Sequence, residues 1–486
     1  MGTVLGNLKP EAIWNHFEEI CKYARPSGLE DKVAGYIVSV GKRNNLETFR
    51  DEFGNVIIRK PATPGKENLT PVVLQGHLDM VAEKNNDVQH NFDKDPIQPV
   101  VDGDWVKAKG TTLGSDNGIG VAAALAVIES KDVEHGPLEA LFTLEEETGM
   151  FGAKALKAGV LKSSILINLD SEEDGTLYIG CAGGQNTVVK IKYDQKYIPD
   201  NTFALELKVT GLKGGHSGLD IHTGRGNAIK LMVRLLHELN YKFGIRLVNI
   251  NGGSKHNAIP RESSAVIRAA KKIKDDVVSY IENYNKIVQA EFASVEPNLN
   301  VTASDIKSRS KVIDKSSASN LINSLYAVQN GVIKMSADIE GLVETSTNLA
   351  VVVTKSKAVE ITLSQRSSVE SERDDISNSI TGLFKLVKAE VNQADGYPGW
   401  KPNIKSPVLG VLKSVYKKLY GSEPEIKAIH AGLECGIINE RYPDLDMISF
   451  GPTIIGAHSP DEKVQISAVI KFWNLLVNVL KNIPQN

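Results

Sequence analysis

Residues 138–150 read LEALFTLEEETGM, an apolar stretch that runs straight into three glutamates. Leu141, Phe142 and Leu144 predict a buried strand. Three adjacent carboxylates repel one another, and burial sharpens the repulsion. A solvated turn tolerates them, and so does a site with strong positive charge nearby. What the neighbouring strands carry at the same end decides between the two.

Moving outward, the first third of the chain alternates helical and strand patterns. PEAIWNHFEEICKYA (10–24) and EDKVAGYIVSVGKRN (30–44) have helical apolar spacing. NVIIRK, PVVLQG, LEALFTL and SILINL read as short strands, with helical runs at 119–130 and 151–158. Strands interleaved with helices predict an α/β fold whose mostly parallel sheet is covered by helices. Near residue 185 the style changes. FALELKVTGLKGG and NAIKLMVRLLHELN give a strand and a long amphipathic helix, and a helix at 317–332 with a strand at 358–368 repeats the theme. After NQADGYPGWKP (392–402) the α/β pattern resumes, with helices near 406–420 and 465–482. The expected organisation is a core domain made of 1–184 and 395–486, interrupted by an inserted α+β domain at 185–394.

Bulk properties narrow the function classes. Of 486 residues, 41% are hydrophobic and 24% charged, so a packed core is expected and bulk disorder is not. A net charge of −3 leaves no basic face for nucleic acid, and the densest basic stretch, RAAKKIKDD (268–276), reads as a solvated segment. Three scattered cysteines argue for a reducing compartment rather than a disulfide framework. No secretory signal is visible, and the least polar run, GIGVAAALAVI, is far short of a membrane span. The expected setting is the cytoplasm.

Chemistry collects at strand ends. In VVLQGHLDM, His77 and Asp79 stand two apart, so on extended backbone they point the same way. Alone, the pair is equally a polar strand end. Asp116 lies at a Gly-rich turn before an Ala-rich helix, where an N-cap is the simpler reading. No Gly-Lys-Ser/Thr follows these glycines, which excludes a phosphate loop. Asp170 directly follows SILINL, and His458 lies in a loop after MISFGP. Together these residues gather at the carboxyl ends of core strands, where open α/β sheets build their sites. Three carboxylates and two imidazoles suit a pair of zinc-like ions. Two divalent ions balance Asp116, Glu147, Asp170 and a bridging hydroxide, and a shared carboxylate allows ~3.5–4 Å between the ions. The glutamate run is then a site: Glu147 binds metal and Glu146 takes the water proton. Glu145 is expected to point elsewhere, as neighbours on an extended chain do.

At these residues the chain resembles the M20 family of di-metal peptidases, and within it the aminoacyl-histidine (Xaa-His) dipeptidases. The resemblance runs end to end, through ARPSGLE, GHLDMV, TLGSDNGIG, FTLEEETGMFGA, NLDSEEDGTLYIGCAGG, GLKGGHSGLDIHTGRGNA, GGSKHNAIPRE, QRSS, YPGW, AIHAGLECG and GPTIIGAHSP. It implies two Zn²⁺ per chain, with Co²⁺ or Mn²⁺ as substitutes. Asp116 would bridge them, with His77 and Asp170 on one ion and Glu147 and His458 on the other. Asp79 would orient His77, and Glu146 would be the general base acting on a metal-bridged hydroxide. The family often has Asp where Glu145 stands.

The insert would be the family's lid. There His216 would stabilise the oxyanion, Asn257 would position substrate and Arg366 would hold its terminal carboxylate. Read without the resemblance, His216 is a turn histidine and Arg366 an ordinary ion-pair residue. Gly432 would let backbone approach the substrate, Glu434 would meet its ammonium, and His430 reads as a structural or pocket histidine. Cys435 is given no role, since a metal site makes a thiol unnecessary.

The implied activity is metal-dependent hydrolysis of small dipeptides, favouring Xaa-His. The alternatives are a broader di- or tripeptidase, an N-acyl amino acid amidohydrolase, or a non-catalytic binding protein on the same fold. Small-lid members of the family are dimers whose lid histidine reaches the partner's site. A 210-residue insert has room for a second module mimicking that partner, so a homodimer and a self-sufficient chain both stay open.

Overall fold

The computed structural model describes residues 4–198, 201–308, 310–394 and 396–485. Residues 1–3, 199–200, 309, 395 and 486, which the expected segments 1–184, 185–394 and 395–486 include, lie outside the described residues. The chain forms two compact units. One comprises Met1–Cys181, Trp400–Ala428 and Leu433–Asn486; the other comprises Ala182–Gly399 and Ile429–Gly432.

The first unit is built on an eight-stranded sheet. Its spatial order is Glu47–Arg50, Val56–Lys60, Leu138–Thr143, Val72–His77, Ile165–Asn168, Asp446–Ser449, Thr176–Cys181 and Glu425–Ile429. The four central strands, Leu138–Thr143 to Asp446–Ser449, are mutually parallel. Antiparallel strands flank them. Every residue of Val72–His77 and Leu138–Thr143 is buried, which explains their near-continuous apolar sequences. Among their few polar residues, Glu139 is satisfied inside: it pairs with Arg59 and accepts from the Lys162 and Ser163 amides.

Ser115–Glu129 packs directly on Val72–His77 and against the helices Glu11–Ile20 and Asp31–Arg43. It is buried around most of its circumference, and its alanines and glycines permit the close approach. A Cβ on Gly120 would come within 2.3 Å of the Leu169 carbonyl oxygen. A small antiparallel sheet of Ile454–Ile455, Lys463–Gln465, Trp105–Ala108 and Pro99–Asp102 closes off the segment that carries His458.

The second unit carries a nine-stranded antiparallel sheet over one apolar core. It contains the same β-α-β-β-α-β module twice. One copy runs Thr202–Thr210, Ala228–Phe243, Arg246–Gly252, Ser263–Ala270, Lys274–Glu291 and Asn300–Asp305. The other runs Gly183–Lys192, Lys315–Ala327, Val343–Thr354, Ala358–Ser367, Glu370–Leu386 and Glu390–Gln393. The strand order is the same in both, the fourth strand outermost, then the first, third and second. Their second strands pair with each other, Asn251 opposite Val353 and Gly252 opposite Val352. The first copy is inserted after the opening strand of the second, so the repeat is nested and no linear repeat appears in the sequence. The helix expected at 317–332 ends at Ala327, and Gly331–Met335 is instead a strand on the edge of Val343–Thr354.

Candidate metal centre

His77 closes its strand, and Asp79 lies two residues beyond. Their side chains meet, with His77 Nδ1 3.3 Å from Asp79 Oδ1. The other ring nitrogen, Nε2, is 3.1 Å from Asp116 Oδ1 and 3.3 Å from Asp170 Oδ1. Asp170 follows the adjacent parallel strand Ile165–Asn168. On the opposite side of Asp116, His458 Nε2 is 3.1 Å from Oδ2 and 3.0 Å from Glu147 Oε2. Asp116 therefore turns one oxygen to His77, where Asp170 also lies, and the other to His458, where Glu147 also lies. Ligand-competent atoms converge in three groups: His77, Asp116 and Asp170; Asp116, Glu147 and His458; and His77, Glu146 and Glu147.

Asp116 is not an N-cap. Its two carboxylate oxygens meet His77 and His458 rather than amides of the helix, and the helix starts after Gly114 in the left-handed region with no side-chain cap bond. The glutamate run is likewise not extended. Glu145 has φ +52° and Glu146–Gly149 forms one helical turn, so the three side chains diverge by helical rotation rather than by strand alternation. Such left-handed non-glycine backbone is costly and persists where surrounding contacts enforce it. Here the Glu145 amide donates to Glu30 at 3.0 Å. The Glu146 and Glu147 amides donate to the two oxygens of Asp79, each at 3.0 Å. Ser27 adds a hydroxyl at 2.7 Å. Asp79 thus fixes both His77 and the Glu146–Glu147 turn.

Two buried residues that sequence reasoning passed over complete the frame. Arg25, inside the quoted ARPSGLE, donates to the Leu78 and Asp79 carbonyls at 2.8 and 2.9 Å and to the Gly114 carbonyl. Glu462, four residues after His458, accepts from the Leu113, Gly114 and Ser115 amides at 2.8, 2.9 and 2.7 Å and from the Ser115 hydroxyl at 2.6 Å. It ties the His458 loop to the turn that presents Asp116. Nothing but the position of Glu462 within the loop motif signalled it.

Burial and mutual repulsion act on the carboxylates of this cluster. Burial pushes Glu146 well above the carboxylate range, reinforced by Asp170, Glu434 and Glu147 against the pull of His77. Burial, with Asp116 and Glu147 nearby, raises Asp170 to about 7 despite His77. Hydrogen bonds to Asp116 and Glu147 hold His458 up at about 11. Glu147 Oε1 is buried without a donor. So is Asp170 Oδ1, whose approach to His77 lacks hydrogen-bond geometry. Two imidazoles and three carboxylates, two of which carry an unsatisfied buried oxygen, form a donor set that divalent cations fit.

Glu434, the first residue of Glu434–Arg441, is fully buried. Its Oε2 accepts from Gln75 Nε2 at 2.5 Å and Thr143 Oγ1 at 2.7 Å, while Oε1 has no partner. Burial, joined by Asp170 and Asp79, lifts it to about 7. Cys435 is buried and its thiol is pushed far up by that burial, which leaves it no nucleophile.

In the second unit, the strands Gly215–His216 and Ala258–Ile259 pair, which brings His216 beside Asn257 on the wall of a cavity of about 990 Å³. His216 Nδ1 accepts from the Gly218 and Leu219 amides at 3.3 and 3.2 Å, so its proton is on Nε2. Burial, with Arg366 nearby, lowers its pKa and keeps the ring neutral. Arg366 lies near the end of Ala358–Ser367, and its Nη1 donates to the Tyr397 hydroxyl at 2.9 Å. Gly432 and His430 belong to the same unit.

A family model described as Peptidase family M20/M25/M40 matches residues 73–482. The chain is 46% identical to the cytosol non-specific dipeptidase of Escherichia coli (strain K12) over 480 residues, 99% of each chain. It superposes on the crystal structure of the aminoacylhistidine dipeptidase from Vibrio alginolyticus with a TM-score of 0.94 and 43% identity, covering 99% of this chain and 98% of that one. An aminopeptidase, PepT, from Bacillus cereus shares the fold at a TM-score of 0.57 and 15% identity, over 98% of this chain and 99% of that one. Among the described residues, no helix is long and apolar enough to cross a membrane.

Proposed function

The chain belongs to peptidase family M20/M25/M40, and from that premise we propose that it is a metal-dependent cytosolic dipeptidase acting on Xaa-His substrates. The observation that carries this reading is Asp116, which offers one oxygen to His77 and the other to His458, with Asp170 beside the first imidazole and Glu147 beside the second. In this reading those five residues hold two Zn²⁺, and the second unit is the lid. When bound, the ions acidify water and polarise the scissile carbonyl.

The chain's own groups do the rest. Glu146 takes a proton from the attacking water and returns it to the leaving amine nitrogen as the C–N bond breaks. Its raised pKa is consistent with a carboxyl that must both accept and donate that proton. His216, protonated on Nε2, donates to the oxygen that gains charge. Arg366 and Asn257 hold the substrate's carboxylate, the Glu434 oxygen without a partner meets its ammonium, and Gly432 lets backbone approach. Two anchors at opposite ends favour a short peptide.

A broader dipeptidase is the second reading, favoured by the likeness to the cytosol non-specific dipeptidase of Escherichia coli. Hydrolysis of β-alanyl-histidine and alanyl-alanine by metal-stripped protein, before and after zinc is restored, separates the two. Restored cleavage preferring the histidine peptide is the expected result. Equal cleavage of both would retain the chemistry and discard the preference. Cleavage of neither would overturn the proposal.

A further inference from the structure

Arg366 is a buried guanidinium, 7% exposed, with no carboxylate partner among the described residues. One arm meets Tyr397, and Nε has no acceptor. Directly across from it on the neighbouring strand is Ser346, and opposed residues of an antiparallel pair project from the same face. The Ser346 hydroxyl is 2.7 Å from Nε2 of His430. His430 is itself 6% exposed, and its Nδ1 has no hydrogen-bond partner. Its carbonyl abuts the turn after His216, where a Cβ on Gly218 would fall 2.4 Å from His430 O and 3.0 Å from His216 Cε1. Next to Gly218, the buried Ser217 hydroxyl is also without a partner. Buried polar groups are nearly always satisfied, so a cluster of orphans beside an uncompensated guanidinium marks a place completed by a ligand. Burial, then the positive Arg366 and the neighbouring His222, push the His430 ring down to about 3, opposed by the Val343 backbone. The ring is therefore a neutral donor.

We propose that His430 contacts substrate and shares its C-terminal carboxylate with Arg366. The Ser346 hydroxyl donates to Nε2, the proton is left on Nδ1, and Nδ1–H donates to a carboxylate oxygen. The proposal rests on the reading of Arg366 as the carboxylate anchor, and the test is built to separate the two.

KM and kcat are measured for a dipeptide and for its C-terminal amide with wild type, His430→Ala, His430→Asn, Ser346→Ala and Arg366→Lys. The expected result for His430→Ala is a KM about tenfold higher for the free acid, with kcat nearly kept and the amide's KM unchanged. Asn, which retains an N–H donor, should recover part of the loss, and Ser346→Ala should show a smaller rise of the same kind. Equal effects on acid and amide, or none, overturn the role of His430. If Arg366→Lys erases discrimination between acid and amide while both His430 variants keep it, His430 alone is excluded. If Arg366→Lys also keeps it, the anchor itself is wrong and the proposal falls with it. Should the alanine variant not fold, the asparagine and Ser346 variants carry the same comparison.

Discussion

Glu146 and Glu147 are adjacent on one helical turn, whose rotation points their side chains in different directions, as the proposed division into base and ligand requires. The Asp79 carboxylate grips both amides, so removing either side chain leaves the turn anchored. Glu146→Gln should therefore keep its zinc while kcat falls ~10²-fold or more, the scale of a general base. Glu147→Gln should lose zinc, because Glu147 Oε2 faces His458 and Oε1 has no other partner. Metal counting on the purified variants checks both, and equal zinc loss from the two would show the roles exchanged. The two-residue spacing of His77 and Asp79 and the strand-end carboxylates were legible in the sequence. Arg25 and Glu462 were not. A buried arginine donating to three carbonyls, or a glutamate collecting consecutive amides, leaves no periodic trace, because its partners are backbone groups that every residue has.

At the scale of elements, the helix Ser115–Glu129 delivers Asp116 and relies on close packing to do so. Gly120 has no room for a side chain against Leu169 O. Gly120→Ala should cost about 1–3 kcal/mol through forced displacement of helix from strand, read as a lower denaturant midpoint. The far end of that helix is clasped by charge. Glu129 lies 3.1 Å from His16 Nε2 and accepts from Arg43 Nε at 2.7 Å, joining three helices. His16 first, then Arg43 and Asn44, outweigh desolvation and draw Glu129 down to about 2. A carboxylate depressed on folding stabilises above its unfolded pKa, near 4.3. That stabilisation is lost as pH falls toward 2. The gap in urea midpoint between wild type and Glu129→Gln should be full at pH 7 and shrink below pH ~4. A gap that widens on acidification would contradict the sign.

For the whole molecule, the crowded carboxylates predict that metal and fold are linked. Stripping the metal with a chelator should lower Tm, and added zinc should restore it in a concentration-dependent way, as for any ligand that binds only the native state. A Tm indifferent to zinc would mean these residues hold none. The nested module bears on assembly. The second strand of each copy pairs with the other within one chain, at Asn251 and Gly252. Mixing Glu146→Ala with His216→Ala protein is expected to give no recovered activity, and recovery would prove a site shared between chains.

Strand and helix periodicity, and the habit of chemistry-bearing residues to follow buried strands, were enough to indicate an α/β core with an inserted α+β unit and most of the residues that the structure brings together as candidate metal ligands. Those signals are local: they depend on burial of alternate or every-third residues and on what stands at a strand's end. Which oxygen of Asp116 faces which histidine, the left-handed bend at Glu145, the grip of Glu462 and the orphaned Nδ1 of His430 were decided only in three dimensions. Each joins groups far apart in sequence, and the partner in each case is selected by packing rather than by spacing.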